Sequence, residues 1–160
     1  MGKLVVVKDD TVEGTDTHTV SGMTLAPPPP VAYAGSGSYK YNGKMTDGLS
    51  PFVTIAGKAV AIVTSKSSLN SGETAPGGGG GHDPQLGSDL KPSTANSVTL
   101  TFLPPVIGTG VPNSAAGSAF VTIAGTKVLL DGDKIDTCDG TGSGNSTVTS
   151  VGQAFVSCSA

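Results

Sequence analysis

Phe52-Val53-Thr54-Ile55-Ala56-Gly57 recurs without change as Phe120-Val121-Thr122-Ile123-Ala124-Gly125, 68 residues further along a 160-residue chain. The likeness continues at the same offset in Val60 with Val128, Ile62 with Leu130 and Lys66 with Lys134. Each copy reads as strand, glycine turn, strand, with Val53 and Ile55, and then Val121 and Ile123, alternating as one face of a pleated strand requires. A single hairpin buries too little to stand alone, so two copies point to a small pseudo-symmetric all-β architecture.

Outward from the repeats, the same class recurs. Leu4–Val7 reads as a short strand followed by a polar turn over Lys8–Thr17. Asn42-Gly43, flanked by Tyr39-Lys40-Tyr41 and Lys44, is a hairpin signal. Val98–Leu103 reads as a strand stopped by Pro104-Pro105, and Ser146–Cys158 alternates again through Val148, Val151 and Phe155, with Gly152 at a turn. The segment 64–97 holds Pro76, Gly77–Gly81, His82-Asp83-Pro84 and Pro92 and reads as a loop insertion within one domain spanning 1–160. Pro27–Pro30 reads as an extended strap on the surface.

Composition agrees. Glycine (24) and proline (11) are poor helix formers, and only 13% of residues are charged. With 4% aromatics and no Trp, the core rests on Val, Ile, Leu and Ala, and a core so thin calls for a metal, a partner or oligomerisation. Nine cations, all lysine, against twelve acids give a net charge of -3, which excludes a nucleic-acid surface. No apolar run is long enough to span a membrane, and the start is too short in apolar residues for a signal peptide, so synthesis in the cytoplasm is expected.

Four side chains could bind a soft metal: His18, His82, Cys138 and Cys158. Four N/S donors suit a closed tetrahedral zinc site. The alternatives are two solvated histidines with two ordinary thiols, or a Cys138–Cys158 disulfide. The run Asp131–Gly140 fails as a calcium loop, because Ile135 and Gly142 stand where oxygen ligands are needed, and reads as a polar turn capped by aspartates. No nucleophile elbow or phosphate loop is present, and no catalytic residues are assigned.

Gly125-Thr126-Lys127-Val128-Leu129-Leu130-Asp131-Gly132-Asp133-Lys134-Ile135-Asp136-Thr137-Cys138 resembles the repeated segment of PAAR proteins, and Gly144–Gly152 resembles the strand that follows it. Gly57-Lys58-Ala59-Val60-Ala61 is similar to the Gly-Lys-x-x-Ala part of the same segment, and His18-Thr19-Val20-Ser21-Gly22 to the early histidine and turn. No Pro-Ala-Ala-Arg string occurs, and the chain has no Arg. PAAR proteins are non-enzymatic spike tips of contractile injection machines: type VI secretion systems, contractile phage tails and extracellular contractile injection particles. The resemblance implies a small cone of β-hairpins with long Gly/Pro-rich loops, one per trimeric spike, which sharpens the spike for membrane puncture and sometimes carries effector cargo. It also implies a structural Zn2+ held by three His and one Cys. His18 and Cys138 match two of those positions, His82 follows the first repeat as a ligand histidine does, and Cys158 substitutes for the third histidine. An apolar base for docking is expected at Leu4–Val7, Val98–Leu103 or Val106–Ile107. The rival readings are a β-rich adhesion or carbohydrate-binding module, and a small hydrolase using His82-Asp83.

Overall fold

The computed structural model describes residues 2–24, 29–71, 88–93, 98–102, 108–138 and 144–159. The protein is all-β, and no helix occurs among the described residues.

Six strands close on themselves. β2 (Thr11–Thr24) pairs with β3 (Ala32–Asp47), β3 with β6 (Lys66–Leu69), and β6 with β9 (Thr109–Pro112). β9 then pairs with β12 (Lys134–Thr137), β12 with β13 (Ser146–Thr149), and β13 returns to β2, every pair antiparallel. Closure leaves no unpaired edge around this barrel. β2 and β3 run on beyond it as a ribbon flanked by β8 (Val98–Phe102) on β2 and β7 (Ser88–Lys91) on β3. Strands β6 and β7 thus lie within the segment 64–97 that composition marks as a loop. Ser67 of β6 faces inward, fully buried, and meets the hydroxyl of Tyr41 at 2.9 Å.

Beneath the barrel, three short segments form a ring: Val5-Val6-Val7, Val60-Ala61-Ile62 and Val128-Leu129-Leu130. Val7 bridges Val60, Ile62 bridges Val128, and Leu130 bridges Val5. The backbone bonds run in a cycle: Val6 N donates to Leu129 O (3.0 Å), Leu129 N to Ala61 O (3.0 Å), and Ala61 N to Val6 O (2.9 Å). Strand alternation sends Val6, Ala61 and Leu129 into the barrel core with Val12, Tyr41, Met45, Ile135, Cys138 and Val148. Val5, Val7, Val60, Val128 and Leu130 gather on the other side of the ring.

Each ring segment continues through the same turn into a barrel strand. Val7 N donates to Asp10 Oδ2 (2.7 Å), Ile62 N to Ser65 Oγ (2.9 Å), and Leu130 N to Asp133 Oδ2 (2.8 Å). Each is also entered from a two-stranded arm. β4 (Thr54–Ile55) pairs with β5 (Lys58–Ala59), and β10 (Thr122–Ile123) with β11 (Thr126–Lys127). The turns are Ala56-Gly57 and Ala124-Gly125, all at positive φ, which is the two-residue turn that matches strand twist. The third arm is β1 (Lys3–Leu4) paired with β14 (Ser157–Cys158).

The repeat therefore occurs three times, where the sequence reading counts two. Phe155-Val156-Ser157-Cys158 plays the part of Phe52-Val53-Thr54-Ile55, and Gly2-Lys3-Leu4-Val5 that of Gly57-Lys58-Ala59-Val60. The bonds agree: Val5 N donates to Val156 O, Val60 N to Val53 O, and Val128 N to Val121 O, at 3.0, 3.0 and 3.2 Å.

Two turn expectations are corrected. Asn42-Gly43 lies inside β3, with Gly43 opposite Val12. The glycine is needed for room, because a Cβ there would strike Ser68 O and come within 2.7 Å of the Tyr41 ring. The polar turn after Leu4–Val7 is confined to Lys8-Asp9, and β2 starts at Thr11 because Val12 must face the core. The proline strap belongs to the β2–β3 connection, pinned where Thr24 N donates to Val31 O (2.9 Å); Pro27 and Pro28 lie outside the described residues.

Candidate functional site: a three-fold face and a polar interior

Two regions carry chemistry. The first is the set of arms. Phe52, Phe120 and Phe155 occupy equivalent positions and are 66%, 74% and 69% exposed. Each is held by the same device in the residues just before it. Val53 N donates to Ser50 Oγ (3.1 Å), Val121 N to Ser118 Oγ (3.1 Å), and Val156 N to Gln153 Oε1 (2.8 Å). Ser50, Ser118 and Gln153 are buried, so the backbone carrying each ring is fixed although the ring itself is not. Val121 and Val156 add exposed apolar surface, while Ile55, Ile123 and Cys158 pack under the arms against the ring valines.

The docking segments expected from sequence are displaced accordingly. Val5, Val6 and Val7 are buried in the ring, because each bonds to another segment. Leu100 of β8 is buried against Val20, Tyr33 and Tyr39, and Leu103, Val106 and Ile107 lie outside the described residues. The exposed aromatics were legible as residues but not as a face, because their equivalence requires the third copy.

The second region is the polar interior between barrel and ribbon. Asp16, fully buried, accepts from Thr137 Oγ1 and from Asn145 Nδ2 (2.6 Å), and Ser146 Oγ lies 2.9 Å from Thr137 Oγ1. His18, two residues along the same face of β2, is buried with Nε2 3.8 Å from Asp16 Oδ2, and its ring stands edge-on to Tyr39 at 5.5 Å. Cys138 is buried in the adjoining core at φ 54°. Burial pushes the Tyr41 phenol well above its ordinary 10.0. The Ser67 bond opposes that rise and the nearby Cys138 and Asp16 add to it.

This raised value has a sign. The folded protein keeps the Tyr41 proton where an unfolded chain releases it, so the contribution is fully present below about pH 10 and is lost as pH rises beyond it. Urea unfolding from pH 9 to 11.5 should show a steeper stability loss for the wild type than for Tyr41→Phe; equal slopes would contradict the assignment.

Of the four sequence-derived donors, His18 lies in the polar cluster between barrel and ribbon and Cys138 in the adjoining barrel core. Cys158 sits in β14 at the position of Ile55 and Ile123, packed on the far side of the ring. His82 lies outside the described residues. Both cysteines are free, so no disulfide joins them, and among the described residues no three His, Cys, Asp or Glu side chains gather as a metal site. Within the 131–140 run, Asp133 Oδ2 caps the local turn through Leu130 N (2.8 Å) and also accepts from Gly117 N (2.8 Å), Asp131 Oδ1 accepts from Ser150 N (2.8 Å), and Asp139 lies outside the described residues.

Compared with known protein families, curated proteins and solved structures, the chain matches none.

Proposed function

We propose that the protein is a non-enzymatic, PAAR-like tip that caps the three-fold end of a trimeric spike in a contractile injection machine. The observation that carries this reading is the three-fold repetition of arm, ring segment and barrel strand within one chain. A chain that presents three equivalent surfaces can engage three identical subunits about their common axis with the same contact made three times. The exposed Phe52, Phe120 and Phe155 supply those surfaces, and aromatic anchors on a fixed backbone are what energetic centres of interfaces use. The interlocked ring and closed barrel suit a part that bears load during puncture.

Native mass measurement of a mixture with the trimeric spike protein of the same machine tests the role. A complex of one chain per trimer is expected. Absence of binding at about 10 μM, or three chains per trimer, would overturn it.

The zinc reading keeps His18 and Cys138, with His82, as its donors in this tip, and Cys158 is dispensable to it. A Zn2+ bound there would tie the ribbon to the end of β12 and add its binding energy to folding. Elemental analysis of protein purified without added metal should then find about one zinc per chain, retained in Cys158→Ser and lost in Cys138→Ser. Metal-free wild type would remove zinc from the account.

A further inference from the structure

The arms share a backbone feature that their charged side chains do not share. Lys3 and Lys58 stand opposite Cys158 and Ile55, whereas Lys127 stands opposite Thr122. The amide pattern is the same in all three. Ala59 O accepts from Lys8 N (2.8 Å), Lys127 O from Val63 N (3.0 Å), and Leu4 O from Asp131 N (2.8 Å). In an antiparallel pair the N–H and C=O of one residue point to the same side, so at these positions β5, β11 and β1 bond toward a neighbouring ring segment. Their cross-strand partners are Thr54, Thr122 and Ser157. Each is thus half of a non-hydrogen-bonded pair, and its N–H and C=O turn outward from the arm. All three residues are exposed, and among the described residues no hydrogen bond engages these six groups. Natural proteins guard an unpaired strand edge with charge or proline. Val53–Ala56, Val121–Ala124 and Val156–Ser159 contain neither.

We propose that the three edges receive the partner's backbone: each subunit of the three-fold partner lays one extended segment along β4, β10 or β14 and so adds a strand to an arm. This deepens the spike-cap reading and rests on it. An outward amide and carbonyl on one residue are matched by another extended chain, whose own N–H and C=O alternate in the same way. Main-chain bonds of this kind give affinity, and pockets for alternate side chains give specificity. Phe52, Phe120 and Phe155 stand two residues before the three outward amides and supply the side-chain anchor beside each edge. The contact is the same at all three arms because it uses the backbone, where Thr54, Thr122 and Ser157 are equivalent, and not the lysines, which are placed differently.

The probe is the homotrimeric spike protein of the same machine, and the first readout is amide hydrogen exchange. Binding the trimer should slow exchange at Thr54, Thr122 and Ser157 at least about 100-fold each. Thr54→Pro/Thr122→Pro/Ser157→Pro deletes the three outward donors without removing a bond inside the chain, and should weaken binding at least about 100-fold. Thr54→Ala/Thr122→Ala/Ser157→Ala keeps the donors and should leave binding within about threefold of the wild type. Circular dichroism checks that both triple variants fold; should the proline variant not fold, exchange in the wild type decides. Trimer binding with the three amides exchanging as in the free protein overturns strand addition and leaves the spike cap standing. So does binding that tolerates the folded proline variant, or that falls equally with alanine. No trimer binding by the wild type overturns both.

Discussion

Asp10→Ala should cost the fold about 3–5 kcal/mol, the largest loss expected from any single polar side chain here. Asp10 is fully buried and its two oxygens accept three backbone donors: Val7 N at 2.7 Å, Val151 N at 2.9 Å and Gly152 N at 2.6 Å. It therefore ties the ring segment of the divided unit to the loop that leads into that unit's own arm, 141 and 142 residues away. Alanine leaves those donors facing a cavity, and charge-assisted bonds of this kind are roughly twice as strong as neutral ones. Asn at the same place keeps one accepting oxygen and turns an amide against the remaining donors, so a loss of about 2 kcal/mol is expected. Asp47→Ala, at an exposed position, should change stability by less than about 0.5 kcal/mol. Urea unfolding with an unchanged m-value measures all three. A loss below about 1 kcal/mol for Asp10→Ala would show that the tie is not structural.

Phe52→Ser/Phe120→Ser/Phe155→Ser should abolish the proposed capping while sparing the fold. The three rings are 66–74% exposed, so their removal should alter the free protein's stability by less than about 1 kcal/mol. Binding to the trimeric spike should weaken more than about 1,000-fold in the triple variant, and by about 10–30-fold in each single one. The near equality of the single variants is the informative part. Three equivalent contacts predict it, whereas one dominant phenylalanine would mean that the arms are equivalent in backbone only. Calorimetric titration against the trimer reads both quantities.

The all-β class was legible from the paired hexapeptides, and so were both intact arms, because Phe-Val-Thr-Ile-Ala-Gly repeats letter for letter. The third arm was not. Its two strands come from stretches more than 150 residues apart, and Ile has become Cys158 and Thr has become Ser157. A signal existed in Gly2-Lys3-Leu4-Val5 set against Gly57-Lys58-Ala59-Val60, but it becomes a repeat only when joined to Phe155-Val156. Asn42-Gly43 misled for a steric reason. The dipeptide that favours a tight turn is here a space beside the Tyr41 ring. The candidate face inherited the same limits, since single exposed phenylalanines carry no meaning until a symmetry relates them. The interior pair His18 and Cys138 was found by residue type, whereas Asp16, the hub of the polar cluster, had no sequence signal beyond its alternation with Val12 and His18 along β2.

The cyclic ring of amide bonds has a kinetic consequence. Each of its three sides joins segments far apart in the chain, and Val5-Val6-Val7 must be met by both Val60 and Leu130. Loop closure over such separations opposes each early encounter until all three segments are in place. Folding should thus be slow for a chain of this size, in the range of milliseconds to seconds or beyond, with the divided arm docking late. Once formed, the ring should release its segments together, so that escape from the native basin is rarer than equilibrium stability alone would imply.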